Sequence, residues 1–174
     1  MIFNSKNHNW FAYQLGYGID DLIFQNSSFI LEYNWTDQRI YKHKYKINDF
    51  YSHGEPLGFW AGPHSEELLA SYSLMVGYSE ISIDYSMAKR GLISDETTIT
   101  NYNDTYNSRY NDGYELKNHF SVRLNTASKI HGLNYIFGIN QIRFENNGLI
   151  NDFSSSNKYS IELGIFYNYE QGRY

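Results

Sequence analysis

The sequence predicts an all-β fold, an antiparallel meander of about seven long strands. Three observations support this prediction. Apolar and polar residues alternate with a period of two through seven runs of the chain, helical spacing is almost absent, and the segments between the runs differ regularly in length. The chain has 174 residues, which is a length typical of one domain.

Composition excludes several classes of protein. The absence of Cys excludes a disulfide framework and Cys-based zinc or iron–sulfur sites. A net charge of −5 gives no support for a dedicated nucleic-acid binder. The mean hydropathy is −0.58, and no apolar run is as long as a membrane-spanning helix. A transmembrane β-barrel is still compatible with this low mean hydropathy, because its strands alternate apolar and polar residues.

Each predicted strand is an alternating run. The runs cover residues 11–17, 29–35, 68–76, 81–88, 119–125, 133–139 and 159–170. The sixth run changes its alternation near Gln141, which predicts a β-bulge there. Several runs reach about ten residues, a length that crosses a bilayer when the strand is tilted.

The connections predict which strand ends lie together. Lys42–Pro63 and Arg90–Tyr114 are long, whereas Gly77–Glu80 and residues 128–132 are short. Alternate joints of an antiparallel meander lie at the same end of the sheet, so the two long connections should share one end. Long loops at one end and tight turns at the other are typical of outer-membrane barrels.

The alternation also predicts two different faces. One is polar and carries Gln14, Glu32, Asn34, Ser71, Ser73, Asp84, Arg123, Glu162 and Asn168. The other should point outward as one apolar band that contains Tyr72, Leu74, Ile83, Tyr85, Val122, Leu163 and Ile165. This division favours part of a transmembrane outer-membrane β-barrel over a soluble β-sandwich or lipocalin-like barrel, whose strands also alternate.

Seven strands are too few for a bacterial barrel, which has an even number and at least eight. Residues Met1–Trp10 have no basic start, apolar stretch or cleavage site of a signal peptide. We therefore expect residues 1–174 to form a single partial β-barrel domain, the C-terminal fragment of a larger barrel.

One segment resembles a known family. Residues 47–73 read INDFYSHGEPLGFWAGPHSEELLASYS, and their glycines, prolines, tryptophan and acidic pair are similar to a segment of the Wzi family of capsule assembly proteins of Gram-negative outer membranes. The matching positions are Gly54, Pro56, Leu57, Gly58, Trp60, Gly62, Pro63, Glu66 and Glu67. The resemblance implies an outer-membrane lectin that binds capsular polysaccharide at the cell surface and helps to anchor it. Its partners would be that polysaccharide and outer-membrane lipid.

The residues themselves favour sugar binding, because aromatic rings stack on sugars while amides, hydroxyls and charges bind their polar groups. The predicted polysaccharide-binding residues are Trp60, His53, Tyr51, Lys42, Lys44, Tyr102, Tyr106 and Arg109. We expect them to converge at the rim where the long connections meet. Two alternatives stay open: Trp60 packs against Pro56 and Pro63, and the basic cluster of Arg39, Lys42, Lys44 and Lys46 is solvated or contacts lipopolysaccharide phosphates.

Catalysis and metal binding find little support. Glu66 and Glu67 are adjacent on a strand and point to opposite faces, so they cannot flank one glycosidic bond. Ser121 and His119 share a face but have no orienting partner. No spacing of His and Glu matches a zinc signature. The sequence predicts a non-catalytic protein without metal or cofactor.

Two other functions stay open. A generic porin or transport barrel would use the polar face as a lumen, and a soluble all-β carbohydrate-binding domain would need no membrane. Solute conductance in a planar bilayer would favour the porin, and failure to partition into detergent would favour the soluble domain.

Overall fold

A computed structural model describes residues 11–37, 40, 51–52, 55–56, 59–91, 109–110, 113–128, 132–147 and 154–167. Within these residues the chain forms nine strands and no helix. The strands are β1 (Ala12–Asp20), β2 (Ser27–Thr36), β3 (Tyr51–Ser52), β4 (Glu55–Pro56), β5 (Ser65–Val76), β6 (Ser79–Gly91), β7 (Tyr114–Ala127), β8 (Leu133–Asn147) and β9 (Ser154–Tyr167). No helix long and apolar enough to cross a membrane occurs in this part of the chain.

The predicted meander of seven strands is confirmed. A single sheet has the order β1-β2-β5-β6-β7-β8-β9, and every neighbouring pair is antiparallel. The sheet is not closed, since β1 and β9 pair on one side only. Within the segment predicted as one long loop, β3 and β4 form a separate two-stranded hairpin.

The two long connections leave the sheet at the same end, as predicted. Thr36, Ser65, Gly91 and Tyr114 are strand termini at this end, and cross-strand pairing joins Ser65 to Arg90 and Gly91 to Tyr114. We call it the long-connection end. The opposite end, which we call the short-turn end, contains the two-residue turn at Gly77, whose φ of +61° suits the first central position of a II′ hairpin turn.

The apolar side chains predicted to form one band do share a face. Cross-strand partners connect one row of this apolar face across all seven strands: Ile19, Phe29, Tyr72, Ile83, Val122, Ile139 and Ile161. Strands pack only against their neighbours in the sheet, so no described element covers this face. Leu163 is accordingly 76% exposed.

Charge divides the two faces of this sheet. Four charged strand residues lie on the apolar face, all in the rows close to the long-connection end: Glu66, Lys89, Arg143 and Glu145. Every other charged residue of the seven strands lies on the opposite face, which we call the polar face. The rows nearer the short-turn end therefore form a band of the apolar face without charge.

The predicted bulge near Gln141 is wrong. β8 pairs without interruption with β7 from Asn134 to Asn147 and with β9 from Leu133 to Asn146. The alternation of apolar and polar residues fails here because the two faces of β8 meet different neighbours near this end. On the apolar face, Gln141 donates to the Tyr159 hydroxyl (3.3 Å). On the polar face, Phe144 lines a pocket. A regular strand thus carries polar residues on its apolar face near one end.

Candidate functional site

A tight turn before β5 brings Trp60 to the long-connection end. The Gly62 N–H donates to the Phe59 carbonyl (2.8 Å), and Gly62 has a φ of +74°, which favours glycine. The hydroxyls of Thr36 and Ser65 both donate to the Gly62 carbonyl, at 2.9 and 2.7 Å. These buried bonds fasten the turn to β2 and to the first residue of β5.

A buried carboxylate fixes the Trp60 ring. The indole N–H of Trp60 donates to Glu67 Oε1 (3.1 Å), and the other oxygen of Glu67 accepts from the Asn34 amide (3.2 Å). Glu67 is only 8% exposed, whereas Trp60 is 53% exposed. One edge of the indole is therefore held by the polar face of the sheet, and about half of its surface stays open to a ligand.

A cavity of about 200 Å³ lies beside this ring on the polar face. It is lined by Trp60, Ala61, Ala88, Arg90, Glu115, Lys117 and Phe144. Lys117 Nζ lies 5.2 Å from the centroid of the Trp60 ring and 5.8 Å from that of Phe144. The cavity thus combines two aromatic rings with cationic and anionic groups. We call it the Trp60 pocket.

The apolar face carries a second cluster at the same end of the sheet. The rings of His64 and Tyr110 stack with centroids 4.9 Å apart and planes 2° apart, and the Tyr110 N–H donates to His64 Nε2 (3.2 Å). Both residues have left-handed backbone conformations, with φ of 56° and 69°. Such conformations are costly for residues other than glycine, and surrounding contacts must hold them in place.

Arg109 supplies several of these contacts. Its guanidinium donates to the carbonyls of Thr36 (2.9 Å) and Ser65 (3.1 Å), and it lies 4.6 Å from the centroid of the Trp35 ring. The Tyr110 hydroxyl donates to Glu66 Oε1 (3.0 Å). Burial, assisted by this carboxylate and opposed by Arg109, raises the pKa of Tyr110 to about 12. The cluster joins the two long connections to each other and to the sheet. We call it the His64–Tyr110 clasp.

The predicted site residues do not all lie together. Trp60 and Arg109 are both at the long-connection end, but Trp60 lies over the polar face and Arg109 binds groups at the apolar face. Tyr51 belongs to β3, and its side chain lies outside the described residues. The remaining predicted residues also lie outside them: Lys42, Lys44, His53, Tyr102 and Tyr106.

Sequence reasoning missed several residues of both clusters. Lys117 and Phe144 line the Trp60 pocket, and His64 and Tyr110 form the clasp. The change of alternation in β8 was a signal for Phe144, because it places a large ring on an otherwise polar face. Nothing in the spacing of His64 and Tyr110 indicates that they stack.

Three carboxylates considered for catalysis, Glu66, Glu67 and Asp84, have structural partners. Glu66 accepts from the Tyr33 hydroxyl (2.9 Å) on the apolar face, so it is separated by the sheet from Glu67. Asp84 accepts from the Ser71 (2.6 Å) and Ser121 (3.3 Å) hydroxyls. No group of three or more His, Asp and Glu residues in the described part of the chain could hold a metal ion.

Comparisons of the chain with protein-family models, with curated proteins and with solved structures find no match.

Proposed function

We propose that this protein is part of an outer-membrane β-barrel that binds surface or capsular polysaccharide at its long-connection end, without catalysis, and helps to retain the polymer at the cell. The observation that carries the proposal is the Trp60 ring, half exposed beside a cavity and fixed by a buried carboxylate. A ring already held in place loses little conformational entropy when a sugar stacks on it.

The two faces of the sheet support the membrane part of the proposal. Large exposed apolar surfaces mark partner or membrane contacts, and this one is free of charge in the rows away from the long-connection end. Strands β5–β9 have 12 to 15 residues. At ~3.3 Å per residue and a tilt of ~45°, such strands cross roughly 30 Å, about the thickness of the hydrocarbon core.

Replacement of Trp60 tests the sugar-binding role. We expect Trp60→Ala to weaken binding of capsular polysaccharide about 5- to 30-fold, because one stacking contact contributes ~1–2 kcal/mol by analogy with nucleobases on aromatic side chains. Binding is measured by calorimetry on the purified protein in detergent, and capsule retention is measured on cells. The melting temperature is recorded for every variant.

Two further variants serve as controls. Trp60→Phe keeps a ring but loses the bond to Glu67, so it should bind with intermediate strength. Tyr78→Ala removes an aromatic ring that is 86% exposed at the short-turn end, and it should bind like the wild type. If Trp60→Ala lowers the melting temperature but binds polysaccharide as tightly as before, Trp60 only packs, and the proposed role is wrong.

A second candidate function, a transport barrel, is favoured by the polar face. Charged side chains occur along its whole length, from Arg90 and Lys117 near one end to Arg123 and Glu162 near the other. A closed barrel with this face inside would hold water. Steady conductance in a planar bilayer that does not respond to polysaccharide would favour transport over binding.

A further inference from the structure

We infer that the Trp60 pocket binds an acidic sugar residue, and that Lys117 is the residue that selects its carboxylate. This inference rests on the proposed function, since it names the chemical class of ligand for the same pocket. It starts from the charges that line the pocket and from the partners that each of them has.

Arg90 and Glu115 carry opposite charges that balance in sum, although no ion pair within 4 Å joins these two described side chains. They are direct cross-strand partners on the polar face, and opposite charges at such positions attract. Both oxygens of Glu67 already accept hydrogen bonds, one from the Trp60 indole and one from the Asn34 amide. None of these three groups gives the pocket a net preference for an anion.

Lys117 is different. Its two cross-strand neighbours are Ala88 and Phe144, neither of which can supply a counter-charge. Within the described residues no carboxylate lies within 4 Å of its ammonium group. The ammonium instead lies near the rings of Trp60 and Phe144. The ammonium thus faces a cavity with its positive charge uncompensated by a direct ion pair.

The size and lining of the pocket fit one pyranose ring. A ring stacked on Trp60 would present its exocyclic group to the surrounding polar side chains, and a carboxylate there would accept a charge-assisted hydrogen bond from Lys117. A neutral hydroxymethyl group would leave the ammonium without an ionic partner. The pocket should therefore distinguish a uronic acid from the corresponding neutral hexose.

The experiment compares polygalacturonate with its carboxyl-reduced form, which has the same linkages but no charge. Calorimetry uses the purified protein in detergent at low ionic strength. We expect the wild type to bind the acidic polymer about tenfold more tightly, as is typical of one hydrogen bond to a charged group. Lys117→Met should bind both polymers equally, and Lys117→Arg should keep the preference.

Control variants separate this inference from the proposed function. Lys158→Met makes the same change on the polar face in β9, outside the pocket, and should keep the wild-type preference. Trp60→Ala should weaken binding of both polymers. If the wild type binds both equally in a Trp60-dependent manner, or if Lys117→Met keeps the preference, acidic selection is wrong while sugar binding stands. If the wild type binds neither polymer, acidic selection is wrong, and binding of capsular polysaccharide by the Trp60 variants decides the proposed function separately.

Discussion

At the scale of single residues, two side chains hold the long-connection end together from opposite faces of the sheet. Glu67 binds Trp60 and Asn34 on the polar face, and Arg109 binds the carbonyls of Thr36 and Ser65 at the strand ends. Arg109 was predicted to contact polysaccharide, and that role stays a prediction. In the structure its guanidinium donates to backbone carbonyls and so links the connection between β6 and β7 to the ends of β2 and β5.

The raised pKa of Tyr110 predicts a pH dependence of the clasp. An exposed tyrosine in the unfolded chain ionises near pH 10, whereas burial raises the pKa of Tyr110 to about 12 in the folded protein. The contribution of Tyr110 to stability is therefore complete below about pH 10 and is lost progressively between about pH 10 and pH 12.

Melting temperatures in detergent at several pH values test this prediction. The wild type should lose more stability between pH 10 and pH 12 than Tyr110→Phe, which has no phenol to ionise. Because the other ionisable groups are present in both proteins, the difference between the two curves is the informative quantity. Parallel curves for the two proteins would contradict the burial of the Tyr110 hydroxyl beside Glu66.

At the scale of elements, the end of β6 must leave room for the clasp. A Cβ atom at Gly91 would overlap the imidazole ring of His64, which is buried and stacked on Tyr110. The Gly91 N–H also donates to the His64 carbonyl (2.8 Å). The glycine is required by this close approach of the turn to the strand, so the site and the strand end are structurally coupled.

Gly91→Ala should destabilise the protein by about 1–3 kcal/mol, the usual cost of overpacking. The expected result is a lower melting temperature together with a pH dependence between pH 10 and pH 12 that is reduced to that of Tyr110→Phe. Gly16→Ala in β1 is the matched control, because its Cβ would meet only the Glu32 side chain at an ordinary 3.8 Å. Equal melting temperatures for the two variants would contradict the packing of His64 against β6.

At the scale of the whole molecule, the sheet has two open edges that run in the same direction. β1 and β9 both start at the long-connection end and finish at the short-turn end. A barrel built from this sheet with antiparallel pairs throughout would need an odd number of further strands between these edges. The total would then be even, as in bacterial outer-membrane barrels.

Adjacent substitutions in β8 test whether the apolar face contacts lipid. Ile139 lies in the apolar row that crosses all seven strands, and Asn140 points to the polar face. Ile139→Arg should reduce the free energy of folding into phospholipid vesicles by about 2–4 kcal/mol, as expected for an arginine near the bilayer midplane. Asn140→Arg should change it little. Urea titrations measure both, and equal effects would contradict membrane embedding.

The sequence by itself determined the seven strands of the large sheet, their order and their two faces. Alternation over the runs around Tyr72, Ile83 and Val122 is a local property, because each side chain of a strand points opposite to the next. The order of the connections determined that the two long ones lie at the same end of the sheet, because an antiparallel chain reverses direction at every connection. Trp60 could also be chosen as a candidate binding residue from local sequence, since its glycine and proline neighbours indicate a fixed turn.

Only the tertiary structure decided what meets at the long-connection end. Glu67 binds Trp60 because the turn at Gly62 reverses the chain, and Lys117 approaches the same ring across two strand pairings. His64 and Tyr110 stack although 46 positions separate them in the chain. Such contacts depend on register and on how the long connections fold, and no local pattern encodes them. The regular pairing at Gln141 has the same origin: cross-strand partners can keep a strand straight where its hydrophobic alternation fails.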